Sequence, residues 1–244
     1  MKNIFYNYLF SFPDGQQKEF YVDFDEQSLE SKLQSEAHYP DWTQLEFHQC
    51  MNCPLTTEDF LYCPLAVNLV PIIYWSKDLN SYDEVEIHIT SKEREVRANT
   101  SLQRGISSLL GLLMSSSACP KMKFLRPLAR FHLPLATQEE TIFRAVSMAF
   151  LADYFVSREK DDAGKFDKEQ SDHDSLRNLK FKYAELQDLN RFMADRIRDA
   201  IKKDAAINAI VLLDVLSKEV SYSIDDSLQQ ISYLFNDKDK ADVA

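Results

Sequence analysis

Residues 84–120, EVEIHITSKEREVRANTSLQRGISSLLGLLMSSSACP, change their hydrophobic period once and thereby decide the fold class. Apolar and charged residues alternate over residues 85–89, which predicts a strand with one buried face, and a return strand follows the turn at residues 91–93. From Thr100 onward, apolar residues recur every three or four positions, as they do on the buried face of a helix. A hairpin followed directly by a helix predicts an α+β fold.

A second hairpin is predicted at residues 4–24, because alternating apolar residues flank the turn Pro13-Asp14-Gly15, in which glycine can adopt positive φ. Alternation over residues 43–48 predicts one further strand. We therefore expect a small antiparallel sheet, made of two hairpins plus one strand, packed on a mainly helical C-terminal half.

Helical spacing of apolar residues predicts most of the remaining elements. Thr137 and Glu140 have the spacing of a capping box, which predicts the start of a helix. Pro71 is expected to end a buried helix near Val70, and prolines punctuate residues 124–134, which we expect to be extended. The predicted helices cover approximately residues 25–35, 65–70, 102–114, 137–157, 175–197, 204–215 and 225–235.

The charged stretch at residues 158–174 divides the chain by composition. Most of its residues are charged or small, and Gly164 lies inside it, which predicts an exposed linker. The expected organisation is an α+β core with the cysteine motifs at residues 1–157 and a helical region at residues 175–244. Because the 137–157 helix is too apolar to stand alone, we expect the C-terminal helices to pack on the core as one structural unit.

Length and composition predict the broad class of protein. The chain has 244 residues, of which 45% are hydrophobic, and a mean hydropathy of −0.36, as in soluble globular proteins. No run approaches the ~20 apolar residues of a membrane helix, and the first residues lack the features of a signal peptide. We therefore expect a cytoplasmic protein without a membrane partner.

Charge and glycine content exclude several functions. The net charge of −11 disfavours a nucleic-acid partner, which requires a basic face. Lys121, Lys123, Arg126 and Arg130 are locally basic, and we interpret them as a solvated turn, with a binding patch as the alternative. With 4 glycines, the chain contains neither GxGxxG nor GxxxxGK[ST], so both common nucleotide-binding fingerprints are absent. HExxH and GxSxG, the metalloprotease and α/β-hydrolase signatures, are absent too.

The chain's 4 cysteines suggest a metal site. Cys50 and Cys53 have the Cys-x2-Cys spacing that lets two thiolates chelate one ion from a tight turn, and Cys63 follows within easy reach. Cys119 is expected just past a helix end, because the proline after it cannot continue the helix. Four cysteines form a complete four-thiolate set, suited to zinc or an iron–sulfur cluster. His48 is a candidate substitute ligand.

The cysteines also allow other interpretations. A lone Cys-x2-Cys with scattered Cys-Pro partners is somewhat more typical of an iron–sulfur arrangement, since zinc ribbons normally carry two such pairs. Free cysteine often behaves as a small buried hydrophobe, so four unrelated thiols without any metal are the simplest alternative. A redox disulfide between Cys50 and Cys53 is a further one. The disulfide framework of a secreted protein is disfavoured.

Arg130 and His132 are the candidate catalytic residues. They lie two apart in a segment expected to be extended, so both side chains would point the same way. Such a pair could hold an anion, or His132 could serve as a general acid or base. The simpler interpretation is that Arg130 neutralises a helix end or a buried carboxylate, and that His132 is a core histidine with its hydrogen bonds satisfied.

Four stretches carry the recognisable motifs of the chain, namely FHQCMNCPL, CPLAVNL, TSLQRGISSLLGLLMSSSACP and RPLARFHLPLATQEET. With the FPDG turn they span residues 1 to about 157, and they resemble a family of bacterial proteins known as a domain of unknown function. The resemblance implies that the four cysteines, Arg130 and His132 belong to one shared core, and it implies no activity. Where the family pattern has Ser-Gly-Cys-Pro, this chain has Ser117-Ala118-Cys119-Pro120.

Three functional hypotheses follow. In the first, the chain is a cytoplasmic interaction or regulatory protein, with a protein partner and a structural four-cysteine metal site that pins the sheet to the helical half. In the second, it is a redox or catalytic protein with an iron–sulfur cluster beside a pocket that contains Arg130 and His132. In the third, it is a metal-free helical binding protein with inert thiols.

Overall fold

A computed structural model describes residues 4–32, 38–161 and 168–235 of the chain, with side chains outside that description at residues 159–161 and 168–174. The chain forms two compact units. The first comprises residues 1–136 and 188–214, and the second comprises residues 137–187 and 215–244. This division differs from the boundaries suggested by composition, because two long helices each contribute residues to both units. How residues 1–157 and 175–244 pack together stays a prediction.

The first unit contains a four-stranded antiparallel sheet, which confirms the α+β class. Its strands are β1 (Ile4–Ser11), β2 (Gln17–Phe24), β3 (Glu84–Ser91) and β4 (Glu95–Ser101). The two predicted hairpins are present, and pairing of β1 with β3 joins them in the order β2-β1-β3-β4. On β1 the residues alternate between buried and half-buried, as the sequence pattern predicted.

The buried face of the sheet packs against helix α2 (Leu102–Ser115). Gly105 permits this close approach. A Cβ atom at that position would lie 2.1 Å from Ile87 Cδ1 and 2.9 Å from Phe10 Cε1, which is closer than carbon atoms can approach. A glycine in the helix therefore lets its backbone rest directly on the strand side chains.

The predicted strand at residues 43–48 is wrong. Asp41–Thr43 forms a short 3-10 turn, and the segment makes only an isolated bridge between Gln44 and Tyr62 among the residues that the structure describes. The physical reason is that neighbouring backbone carbonyls in this segment accept hydrogen bonds from a buried arginine, Arg196, instead of from another strand.

Two further predictions that were based on proline positions are wrong. Helix α1 (Pro64–Ser76) does not end near Val70 but continues through Pro71, because residues on both sides of the proline are buried in the core. Of the segment predicted to be extended, residues 124–130 are helical: a 3-10 segment (Pro120–Leu125) leads into helix α3 (Arg126–Arg130), since a proline occupies the first turn of each, where its missing N–H costs nothing.

The predicted helix at residues 25–35 is absent from its described part. Residues 25–32 form turns, with Leu29 at a φ of 57° and a bridge between Phe24 and Ser31, and the rest of the prediction lies outside the described residues. Asp25 explains the turn, because its carboxylate accepts hydrogen bonds from the backbone N–H groups of Gln27 and Ser28.

The second unit is helical. Most of its described residues belong to the helices α4 (Gln138–Asp161), α5 (Lys168–Arg198), α6 (Ala205–Tyr222) and α7 (Ile224–Ile231). Helices α5 and α6 are divided between the two units. The predicted capping box is confirmed: Glu140 N–H donates to Thr137 Oγ1 (3.2 Å), and Thr137 N–H donates to Glu140 Oε2 (2.8 Å).

The predicted linker at residues 158–174 is helical in both of its described parts, residues 158–161 and 168–174. Lysine, arginine and glutamate are good helix formers, so charge alone does not predict a loop. Residues 162–167 lie outside the described part of the chain.

Among the helices of the described ranges, none combines the length and the apolar character that crossing a bilayer demands.

Candidate metal site

Cys50 and Cys53 lie on a tight turn. The N–H of Cys53 donates to the carbonyl of Cys50 (3.1 Å), and Asn52 between them has a φ of 56°. Gln49 closes the next turn by donating from Nε2 to the carbonyl of Leu55 (3.1 Å). This is the knuckle that the Cys-x2-Cys spacing predicts.

Cys63 is brought to the knuckle by backbone pairing. Leu45 N–H donates to the carbonyl of Leu61 (2.9 Å), and Cys63 N–H donates to the carbonyl of Thr43 (2.7 Å). Cys63 directly precedes α1, whose N-terminus favours negative charge. Pro64, which follows Cys63, is the first residue of this helix.

Cys119 lies in the segment that follows the C-terminus of α2. It lies four residues past Ser115 and precedes the 3-10 segment at Pro120–Leu125, with its carbonyl accepting from Met122 N–H (3.0 Å). Lys121 Nζ donates to the carbonyl of Met51 (2.9 Å), which ties this segment to the knuckle.

All four cysteines line one cavity of about 20 Å³. The structure thus brings Cys119 to the three cysteines that precede it by more than fifty residues, which the sequence could not establish. The remaining wall is mainly apolar and consists of Leu45, Gln49, Leu55, Leu65, Leu189, Phe192, Met193 and Arg196. Among the described residues, however, no group of three or more His, Cys, Asp or Glu side chains is already arranged to hold a metal ion. The metal site therefore stays a prediction.

The four cysteines are free, and burial makes the thiols of Cys50 and Cys119 hold their protons more firmly than usual. Burial raises the pKa of Cys50 to about 12, with Cys53 adding to the effect and Lys121 opposing it. Burial raises the pKa of Cys119 to about 11, against backbone hydrogen bonds that lower it. A metal ion that bound here would have to displace these protons.

Arg196 lines the cysteine cavity, and sequence reasoning missed it. Only 2% of its surface is exposed, and its guanidinium donates to three backbone carbonyls, those of Trp42 (3.0 Å), Gln44 (2.6 Å) and Leu45 (2.8 Å). Burial lowers the pKa of Arg196, and the nearby Cys63, Cys50 and Cys53 act in the opposite direction.

A signal for Arg196 was present in the sequence. Leu189, Met193 and Ile197 mark the apolar face of α5, and all three are buried. Arg196 lies seven residues after Leu189 and three after Met193, so it falls on that same face. A charged residue at a buried helical position requires an explanation, because burying an unpaired charge is costly.

Arg130 and His132 do not line the cysteine cavity. His132 Nε2 lies 2.5 Å from the Tyr8 hydroxyl, which also contacts Ser108 Oγ at 2.9 Å. The guanidinium of Arg130 lies 3.9 Å from the carboxylate of Glu93. The two side chains therefore have different partners, and their catalytic role stays a prediction.

The other candidates also lie outside the cavity. His48 is exposed, has a φ of 45° and packs edge-on against Phe47. In the basic stretch, Arg126 pairs with Glu30 at 2.5 Å, so part of its charge is neutralised. A larger open groove of about 570 Å³ is lined by residues 11–13, 82, 84–86 and 99–101, none of which is a cysteine, histidine or arginine.

The fold and the site define an α+β protein with a four-cysteine cavity. The chain belongs to the family described as "Domain of unknown function (DUF6901)", whose model matches residues 5–236. The expected membership of an uncharacterised family is confirmed, and the match extends past the motifs into the helical region. Comparison with curated proteins finds no match, and neither does comparison with solved structures.

Proposed function

We propose that Cys50, Cys53, Cys63 and Cys119 bind one zinc ion as thiolates, and that this site stabilises a cytoplasmic interaction or regulatory protein. The observation that carries the proposal is that all four cysteines of the chain line one cavity. Four thiolates without an open position are the ligand set of a structural zinc site rather than of a catalytic one.

The size of the cavity favours a single ion. A volume of about 20 Å³ is close to that of one water molecule. An iron–sulfur cluster contains several iron and sulfide atoms and requires more space than a single ion. Binding would draw the four sulfur atoms, which already line one cavity, to about 2.3 Å from the zinc.

The position of Arg130 and His132 weakens the redox alternative. That hypothesis requires both residues beside the cluster, whereas neither lines the cysteine cavity. His132 is instead engaged with Tyr8, whose side chain is fully buried. A structural site is consequently the better-supported function.

Metal content measured on protein purified without oxygen tests the proposal. We expect a colourless protein with about one zinc per chain, as for a closed four-thiolate site. His48→Ala is the matched control, because this exposed histidine lies outside the cavity and should leave the zinc content unchanged. Zinc loss in this variant would place the ligand set elsewhere.

Two other outcomes would overturn the proposal. A brown protein with broad visible absorbance and iron in excess of zinc would identify a cluster instead. A chain that binds no metal, even when refolded with zinc under reducing conditions, would show that the cysteines are packing residues.

A further inference from the structure

The guanidinium of Arg196 is buried, and the hydrogen bonds that it makes go to neutral groups. Its hydrogen-bond partners are three neutral carbonyl groups, and the lining of the cavity that it shares with the four cysteines contains no carboxylate among the described residues. The side chain is 98% buried, so water does not substitute for a counterion. A buried cation in this position calls for a negative charge within the cavity that it lines.

A metal-loaded cysteine site would supply that charge. Four thiolates around one divalent ion leave an excess of two negative charges, which a mainly apolar cavity tolerates poorly. Arg196 lines the same cavity and offsets part of this excess. Without the metal, the described residues that line the cavity offer the arginine no carboxylate as a counterion.

Arg196 also fixes the segment that leads into the knuckle. The carbonyls of Trp42, Gln44 and Leu45 all accept from it, and this segment pairs with residues 61–63 through Leu45 and Thr43. One side chain from α5 therefore holds the segment before Cys50 directly, and it holds the segment before Cys63 only through that backbone pairing.

We propose that Arg196 is a charge-balancing and positioning residue of the cysteine site, which raises its affinity for a single divalent ion. The inference rests on the proposed function, since it concerns the same site. It adds a residue from outside the cysteine motifs and a charge requirement that the motifs do not contain.

The test compares zinc affinity across a set of Arg196 variants by competition with a chromophoric chelator. Arg196→Gln removes the charge, and we expect zinc affinity to fall about 10–100-fold, as is typical when an outer-shell partner of a metal site is lost. Arg196→Lys loses the fork of hydrogen bonds but keeps the charge, so it should recover most of that loss. Arg198→Gln is the matched control: the same helix loses the same charge from a side chain that is 67% exposed, and affinity should not change.

Cobalt(II) substitution separates charge balance from loss of a ligand. The sulfur-to-cobalt charge-transfer absorbance should have four-thiolate intensity in the Arg196 variants as in the wild type. Unfolding of the metal-free proteins should be affected similarly by the Lys and Gln changes, because both lose the hydrogen-bond fork. If Arg196→Gln does not fold, Arg196→Met replaces it, since an apolar side chain suits the wall formed by Leu189 and Met193.

The outcomes distinguish this inference from the function on which it rests. If the wild type binds zinc and the Gln or Met variant binds it equally tightly, or no less tightly than the Lys variant, the role of Arg196 is overturned while the metal site stands. If the wild type binds no zinc or cobalt, the proposed function itself fails and the inference falls with it.

Discussion

Two buried polar regions of the first unit differ in how they are satisfied. Under the sheet, the Tyr8 hydroxyl contacts Ser108 at 2.9 Å and His132 at 2.5 Å, and Ser108 accepts from Leu135 N–H at 3.0 Å. In the cysteine cavity, by contrast, four thiols share the wall with a buried arginine that donates to three backbone carbonyls, and the lining contains no carboxylate among the described residues. The polar groups of the first region are paired with one another, whereas the second region combines four free thiols with a buried cation, and the proposed zinc site accounts for this difference.

The largest effect should come from breaking the cavity. Cys119→Ser should abolish zinc binding and lower the free energy of unfolding by about 4 kcal/mol or more, because loss of a metal belongs to the few mechanisms that cost so much. Chemical unfolding of the zinc-loaded protein measures it. Cys119 is chosen because it follows the end of α2, and its neighbour Lys121 donates to the carbonyl of Met51 in the knuckle.

The control for Cys119→Ser is the same comparison in excess chelator. Without metal, the variant should lose only about 1–3 kcal/mol, the cost of placing a serine hydroxyl in a buried, mainly apolar cavity. An equal loss of stability with and without zinc would mean that Cys119 matters only through packing.

A smaller effect is expected where α2 rests on the sheet. Gly105→Ala should lower the free energy of unfolding by about 1–3 kcal/mol, because the added methyl group overlaps Ile87 and Phe10. Gly111→Ala is the matched control, with its nearest atom in Leu213 at 3.5 Å, and should be neutral or stabilising by up to about 1 kcal/mol. Urea titrations should give the same differences with and without zinc, and a zinc-dependent difference would contradict the separation of the two regions.

The smallest effect should come from the polar group under the sheet. Tyr8→Phe should cost about 1–2 kcal/mol, because the variant keeps the ring but removes a buried hydroxyl with two partners. Tyr21→Phe, at a tyrosine that is 57% exposed, should change the unfolding midpoint very little. Zinc content should be unaffected by either change, and loss of zinc in Tyr8→Phe would connect the two regions.

Local pattern predicted the elements better than their ends. Both hairpins, α2 and the capping box at Thr137 appear as expected, since each depends on residues close in sequence. Errors occurred where local signals conflicted with tertiary contacts. Pro71 was expected to end a helix but lies inside a buried one. The alternating residues 43–48 were expected to form a strand, but the carbonyls of Gln44 and Leu45 accept hydrogen bonds from Arg196 instead.

The candidate site was only partly readable from the sequence. The Cys-x2-Cys spacing predicted the knuckle at Cys50 and Cys53 because two ligands on one turn are a local feature. Arg130 and His132, in contrast, were expected to point the same way from an extended segment. They have separate partners because helix α3 ends at Arg130 and the chain turns before His132.

By itself, the sequence determined the α+β class, the two hairpins and the presence of four cysteines, because hydrophobic period and residue identity are local properties. Only the tertiary structure decided that Cys63 and Cys119 share a cavity with the knuckle, and that Arg196 reaches the carbonyl of Gln44 from 152 residues away. Such contacts depend on the path of every intervening turn and on the packing of whole elements, and no short pattern contains that information.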